Sequence, residues 1–340
     1  MKQTTLCYLE QDDRYLMLYR NKKENDLNEG KWIGVGGHLE EGETPEVCAK
    51  REIFEETGLV PDRLALRGAV FFDSDRWEDE IMYLFTAGAE CGQLPECNEG
   101  ELKWVPKNEV FRLNLWEGDR IFLNYLLEET PFFCLELHYD ADDRLVSSRR
   151  LPPVILASAS PRRLELLNQI GIRPVVIPSR NAETSTERDP GKLVMELAEE
   201  KAEEVAGGFS NGELVIGADT VVVSGGEILG KPGTHEEAAR MIRSLAGHAH
   251  QVYTGVSLIR AGSGRKQCFA EKTEVHVAPM SEEEILLYAE SGEPMDKAGG
   301  YGIQGSFAAF IEGIEGDYYN VMGLPVRRVY TAVRDMMLQE

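Results

Sequence analysis

The segment from Gly37 to Leu59, GHLEEGETPEVCAKREIFEETGL, constrains this chain more than any other. A glycine-rich loop runs into a helix whose ends are marked. Thr44 is placed to cap the start, Pro45 sits in the first turn where its missing N–H costs nothing, and Gly58 supplies a stop that accepts positive φ. The pattern predicts a helix over Pro45–Thr57. Inside it, Glu52, Glu55 and Glu56 fall at i, i+3 and i+4 and share an arc about 100° wide. Three like charges in one turn destabilise an isolated helix unless a cation neutralises them, and hard oxygen ligands at this spacing suit Mg²⁺ or Mn²⁺ holding phosphates. For the E-x-x-E-E run alone, the ordinary reading is a solvated acidic helix face.

The longer pattern separates the two readings. Gly37, five residues, Glu43, seven residues, then Arg51, Glu52, Ile53, Glu55, Glu56, Gly58 and Leu59 fill the array G-x₅-E-x₇-R-E-U-x-E-E-x-G-U, with U aliphatic, at every position. This segment resembles the Nudix hydrolase motif. The resemblance implies an αβα sandwich that cleaves a nucleoside diphosphate linked to another group. It makes Glu52, Glu55 and Glu56 metal ligands, with Glu52 as a catalytic candidate that helps deprotonate water and Gly36 or Gly37 offering a carbonyl; Arg51 and Glu43 orient the carboxylates. Glu99 or Glu101 is a candidate further ligand. The text KWIGVGGHLEEGE and the later NLWEGD look similar to the subgroup that removes oxidised purine triphosphates such as 8-oxo-dGTP, in which Trp116 would stack on the base and Asp119 would read its edge. A nucleotide sugar or dinucleotide substrate stands beside that reading.

Composition limits the rest. The 340 residues suit two domains, and 42% hydrophobic content supplies two cores, which argues against disorder. With 59 acidic against 36 basic residues the formal net charge is -23. That field repels nucleic acid and anionic membrane, and also free nucleotide, so a phosphate substrate needs local cations or bound metal. The cysteines Cys7, Cys48, Cys91, Cys97, Cys134 and Cys268 form no CxxC pair, which fits reduced thiols and a cytoplasmic location. Neither a leader pattern nor a long apolar run is present in the sequence.

A polar stretch, DADDRLVSSRRLPP, ends in two prolines, which places a linker at 148–153 between domains over 1–150 and 151–340. The first half reads as α+β. The second alternates strand 154–157, helix 161–170, strand 213–218, helix 235–245, strands 251–260 and 267–277 and helix 282–290, the order of an α/β domain. Its first strand runs into Ser158-Ala159-Ser160-Pro161-Arg162-Arg163. Ser160 as N-cap leaves free N–H groups for an anion, and two hydroxyls and two guanidiniums converge there as a phosphate clamp. Asp219 follows strand 213–218 at its C-terminal end, and Lys231 sits in a Gly-Lys-Pro turn before a helix opened by a capping box from Thr234 to Glu237.

The blocks LASASPRR, GADTVV, LGKP, HQVYTGV, SGEPMDKAGGYGIQG and GDYYNVMGLP stand in order across 154–325 and look like the signature of the Maf family. The resemblance implies metal-dependent hydrolysis of nucleoside triphosphates to monophosphate and pyrophosphate. Asp219 becomes the acceptor of the proton of water. Ser158, Ser160, Arg162, Arg163 and Lys231 hold phosphates, Glu183 and Lys201 lie in the pocket, and Arg162, Thr220 and Gln304 bear on base choice. The DKAG…IQG form resembles the branch acting on dTTP and UTP. Ala182 replaces a usual Asp, and Ala246 a usual Ser.

The whole reads as a bifunctional enzyme with two sites that remove unwanted nucleoside triphosphates. It needs a divalent cation, Mg²⁺ or Mn²⁺, and its partners are nucleotides, with no nucleic acid or membrane and a homodimer as the assembly to test. From another class, a nucleotide-binding regulator of division with little turnover fits the same residues, and pyrophosphate release separates the two.

Overall fold

The computed structural model describes residues 2–22, 26–89, 94–181 and 184–338. Its contacts separate between Pro153 and Val154 into two units, each with its own buried core.

In the first unit, strands β1 (Lys2–Gln11), β2 (Arg14–Arg20), β3 (Trp32–Ile33), β4 (Asp62–Ser74), β5 (Glu80–Gly88), β6 (Gly100–Pro106), β7 (Phe133–Tyr139) and β8 (Leu145–Leu151) form one sheet. Their order is β3-β2-β1-β5-β4-β7-β8, with β6 paired to β2. The central strands show runs such as Thr4–Leu9 that are buried on both faces, because helices cover both. Alternation along β1 assigns the faces. Leu6 and Tyr8 join the cluster of Phe122 and Leu123 from helix α2 (Glu117–Leu127), whereas the Thr5 hydroxyl lies 3.3 Å from the Cys48 thiol of helix α1 (Pro45–Thr57). The result is an αβα sandwich.

One irregularity places the loop ahead of α1. β1 and β2 pair only at Glu10 and Gln11 and then diverge. The freed edge of β1 takes up residues 35–39 instead, through Cys7 N–H to Val35 O at 2.7 Å, Thr5 N–H to Gly37 O at 2.9 Å and Leu39 N–H to Gln3 O at 3.1 Å. The glycine-rich loop is thereby laid along a central strand.

The second unit orders strands β9 (Val154–Leu156), β10 (Val175–Val176), β11 (Leu214–Ser224), β12 (Glu227–Leu229), β13 (Ala249–Arg260), β14 (Arg265–Val277) and β15 (Ile311–Glu315) as β10-β9-β11-β13-β14-β15, with β12 on β11. β9 runs parallel to β10 and β11, and the remaining pairs are antiparallel. Helices α3 (Pro161–Gln169), α5 (His235–Leu245), α6 (Glu282–Glu290) and α8 (Val326–Leu338) contribute to one core with Ala218 and Val256, while the short α7 (Tyr318–Met322) follows β15. The opposite face carries α4 (Pro190–Ala206). It lies so close that a Cβ on Gly217 would come 2.2 Å from the Ala198 carbonyl oxygen, so β11 has no side chain there.

Two expectations change. The stretch 148–153 is not a free linker: Leu145–Leu151 is an edge strand antiparallel to β7, with Arg149 bonded to Glu136 at 3.0 Å. Its outer residues are solvated, which gave them the composition of a linker. Strand 213–218 extends to Ser224, because β13 pairs with it along nearly its whole length.

Candidate active sites

Helix α1 forms over the expected residues. The Thr44 hydroxyl accepts the Val47 N–H at 3.4 Å, Pro45 opens the helix, and Gly58 ends it at φ 66° while donating to Phe54 O. The three carboxylates do not share one environment. Glu55 is solvated, Glu52 is half-buried, and Glu56 turns inward beside Ile53 and Thr57. Gly36 N–H donates to Glu56 Oε2 at 2.9 Å, while Glu56 Oε1 is out of solvent with no hydrogen bond among the described residues. Burial pushes the Glu56 carboxyl up to about 8; the Gly36 N–H opposes this, Glu52 adds to it and Arg20 opposes it. An orphaned oxygen of this kind, on a carboxyl that is costly to ionise unaided, fits a hard divalent cation. A Cβ on Gly37 would stand 2.3 Å from Glu52 Oε1, so only a bare backbone lets the loop and that carboxylate meet.

Arg51 fastens the loop to the helix. Its guanidinium bonds both oxygens of Glu43 at 3.0 and 2.9 Å, Glu52 Oε1 at 2.7 Å and His38 O at 3.1 Å. Hydrogen bonding from Arg51 holds the Glu43 carboxyl below the usual range. The Gly37 carbonyl, expected to face a metal, accepts the Thr5 N–H, which gives it a partner on β1. Gly36 is the glycine whose N–H meets a carboxylate.

Sequence reasoning missed Arg20. Buried at the end of β2, it pairs with Glu99 and with Asp26 at 2.6 Å, and its NH1 lies 4.0 Å from Glu56 Oε1. A cation closing the apolar run Tyr15–Tyr19 was the available signal. Arg20 links Glu99 to the carboxylate helix, whereas Glu101 is solvated and bonds Asn21 at 2.9 Å. Trp116 is the N-cap residue of α2; its Nε1 donates to Asn28 Oδ1 at 2.8 Å and Lys31 Nζ stands 4.5 Å over its ring. In the first turn of α2, Asp119 is buried, and burial raises its carboxyl to about 7 against the opposing charge of Lys31.

In the second unit, a cavity of about 540 Å³ is lined by Ser158, Ser160, Arg162, Arg163, Lys201, Asp219, Thr220, Lys231 and Gln304 together with Asp296 and Lys297. Every site residue expected in this half is there except Glu183, which with Ala182 lies outside the described residues. Five cations face two carboxylates among the described lining residues, which reverses the protein's overall sign locally.

Asp219 is not at the end of its strand. β9 pairs with β11 only through Ile216, and β9's chain then leaves the sheet into Ser158, so the end of β9 opens a gap beside mid-strand Asp219. Lys201 reaches into that gap from α4, with Nζ 2.7 Å from Asp219 Oδ1 and both side chains largely buried.

Arg163, expected to grip phosphate, lines the cavity and is also bonded into its wall. Its guanidinium donates to Gly323 O at 3.0 Å, Ser158 Oγ at 3.0 Å, Ala218 O at 2.8 Å and Thr220 Oγ1 at 3.1 Å. Four bonds inside the wall make it the tie that holds three chain segments together. Arg162 bonds Asp296 at 2.9 Å, and Lys231 and Gln304 are exposed. Ser160 occupies the N-cap position of α3, but its hydroxyl caps nothing and its N–H donates to Ser158 Oγ at 3.3 Å. Thr234 caps α5 as expected, while Glu237 answers to the Gly233 N–H at 2.8 Å in place of the N-cap residue.

The chain has relatives for each unit. A family model described as "Maf-like protein" matches residues 153–336, and one described as "NUDIX domain" matches 2–126. A dTTP/UTP pyrophosphatase of Agathobacter rectalis is 52% identical over 198 residues, which are 54% of this chain and 97% of the relative. One of Koribacter versatilis is 50% identical over 182 residues, 53% of this chain and 93% of that one. Among solved structures, a MutT protein from Bacillus halodurans is 27% identical and covers 45% of this chain and 99% of its own, with a TM-score of 0.41.

Proposed function

Because the chain belongs to the Maf-like protein family through its second unit and carries a Nudix domain in its first, we propose that it is a two-site nucleoside triphosphate pyrophosphatase. Both units are hydrolases of phosphorus anhydrides. In the second, dTTP and UTP are the proposed substrates, the activity named for relatives about half identical to it. In the first, the proposed substrate is an oxidised purine triphosphate.

The reading rests on the Lys201–Asp219 pair at the wall of a cationic cavity. Lys201 fixes the Asp219 carboxylate in direction, and Asp219 takes the proton of the attacking water. Arg162, Lys231 and Lys297 offset the charge of the triphosphate and of the leaving pyrophosphate, with backbone N–H groups at the start of α3 adding to them. Arg163 holds Ser158 and Thr220 in place. In the first unit, Glu52, Glu55 and Glu56 would hold a divalent cation with a carbonyl of Gly36 or Gly37, and Glu52 would help deprotonate water. Such an ion supplies charge neutralisation and acidifies bound water. Trp116 would lie along the base, and Asp119, protonated near neutrality, would donate a hydrogen bond to its edge.

The test is pyrophosphate release from dTTP, UTP and 8-oxo-dGTP with Mg²⁺ or Mn²⁺. Turnover of all three supports the reading. No release above background from any of them leaves a nucleotide-binding module.

A further inference from the structure

We propose that Glu274, His276 and Glu315 form a binding site for a first-row divalent cation, Zn²⁺ foremost, that staples strand β15 to β14 independently of both hydrolytic sites. The strand register assembles the three residues. Glu274 and His276 are two apart on β14 and therefore share a face, and Glu315 on β15 is the direct cross-strand partner of Glu274. Two carboxylates directly opposed on a sheet repel each other unless a cation stands between them.

The distances suit coordination. His276 Nε2 lies 3.4 Å from Glu315 Oε1 and 3.8 Å from Glu274 Oε1, and all three ligand atoms fall within 4.8 Å of one another. Ligands about 2.1 Å from a tetrahedral ion stand roughly 3.4 Å apart. The His276 Nε2 is out of solvent and makes no hydrogen bond among the described residues, although two carboxylates face it. An imidazole with two carboxylates is a donor set for Zn²⁺ and its first-row neighbours, where Mg²⁺ and Ca²⁺ take oxygen alone. Three protein ligands leave a fourth position to water, on the side where Glu315 is solvated.

The consequence lies along the chain from the site. β15 is the last strand of its sheet, and its pairing with β14 shifts register between His276 and Val277, so few ladder bonds hold it. Asp317, two residues past Glu315, is the N-cap of α7, which supplies Asn320 and the cavity-lining Met322. The buried Asn320 amide bonds Val252 O at 3.1 Å and Thr273 Oγ1 at 3.0 Å. A cation clamping Glu315 to β14 would fix the strand that feeds this part of the cavity wall.

Chelator-treated full-length protein is loaded with Zn²⁺ in excess Mg²⁺, which fills oxygen-only sites, then desalted and assayed for bound zinc and Tm. Wild type is expected to retain one more Zn²⁺ per chain than His276→Ala or Glu315→Gln, and to gain a few degrees of Tm that both variants lack. Substituted Co²⁺ should give ligand-field absorption that His276→Ala abolishes. A wild-type far-UV circular dichroism spectrum and a cooperative unfolding transition certify the variants' fold; if His276→Ala does not fold, the solvated Glu315→Gln decides. Equal zinc content and equal Tm response in wild type and variants would overturn the proposal. So would a Tm advantage of wild type over both variants that is the same with chelator as with zinc, which marks direct contacts among the three side chains and no bound cation.

Discussion

Asp119 and Arg163 show how far a side chain's role departs from its type. Asp119 is a carboxyl that burial holds protonated to about pH 7, against an ordinary value of 3.8. Between those two values the unfolded chain has released the proton and the folded one has not, so this group subtracts stability as pH rises through the window. Asp119→Asn is expected to gain stability over wild type progressively from about pH 4 to 7 and no further above it. The full gain is on the order of a few kcal/mol, read from urea midpoints of both proteins. Arg163 spends its donors on the wall. Arg163→Ala should cost about 2–3 kcal/mol and dTTP turnover together, and Arg163→Lys, lacking the fork, should rescue little of either. Asp219→Asn is a different case: turnover of dTTP and UTP should fall by about 10²–10⁴-fold, with a lowered urea midpoint because Lys201 loses its buried carboxylate, while 8-oxo-dGTP turnover persists. Glu56→Gln should reverse which activity is lost. Loss of both activities in either variant would end the idea of separate sites.

At the scale of elements, α1 and α4 differ in what their sequences disclose. The ends and the carboxylate array of α1 are written in consecutive residues, so local rules place it. Helix α4 carries Lys201, and its register against the sheet depends on a glycine in a strand far along the chain. Gly217→Ala, a single methyl aimed at the Ala198 carbonyl, should cost about 1–3 kcal/mol and displace Lys201 from Asp219. A crystal structure or a drop in dTTP turnover alongside the lowered urea midpoint checks it. The β9–β11 separation is likewise an element-level device: one strand leaves early and exposes the middle of its neighbour.

For the whole molecule, the separate cores on either side of Pro153 lead to the expectation that residues 1–153 and 154–340 fold when expressed apart, each with a cooperative unfolding transition of its own. Absence of a transition in either fragment would show that its core is incomplete. The net charge of -23 repels polyphosphate at long range, and the cation-lined cavity overcomes it at short range. Added salt screens the distant field more than the buried contacts, so KM for dTTP should fall slightly or hold as ionic strength rises moderately. Among the described residues no helix is long and apolar enough to cross a membrane, and five cysteines are free thiols.

The sequence by itself determined the helix of carboxylates and several of the strands and helices around the second site, from capping, periodicity and motif spacing, which act between near neighbours in the chain. Helix α4 escaped that reading, and Lys201, Thr220 and Gln304 were named through the resemblance to the Maf family. Only the tertiary structure decided that Glu56 is buried while Glu55 is solvated, that Arg163 braces the wall, that Arg20 stands beside the carboxylates, and that Leu145–Leu151 is an edge strand. Each of these depends on which distant segment supplies the partner or excludes the water. Local sequence carries no record of that; it is settled when the sheets form and their helices pack.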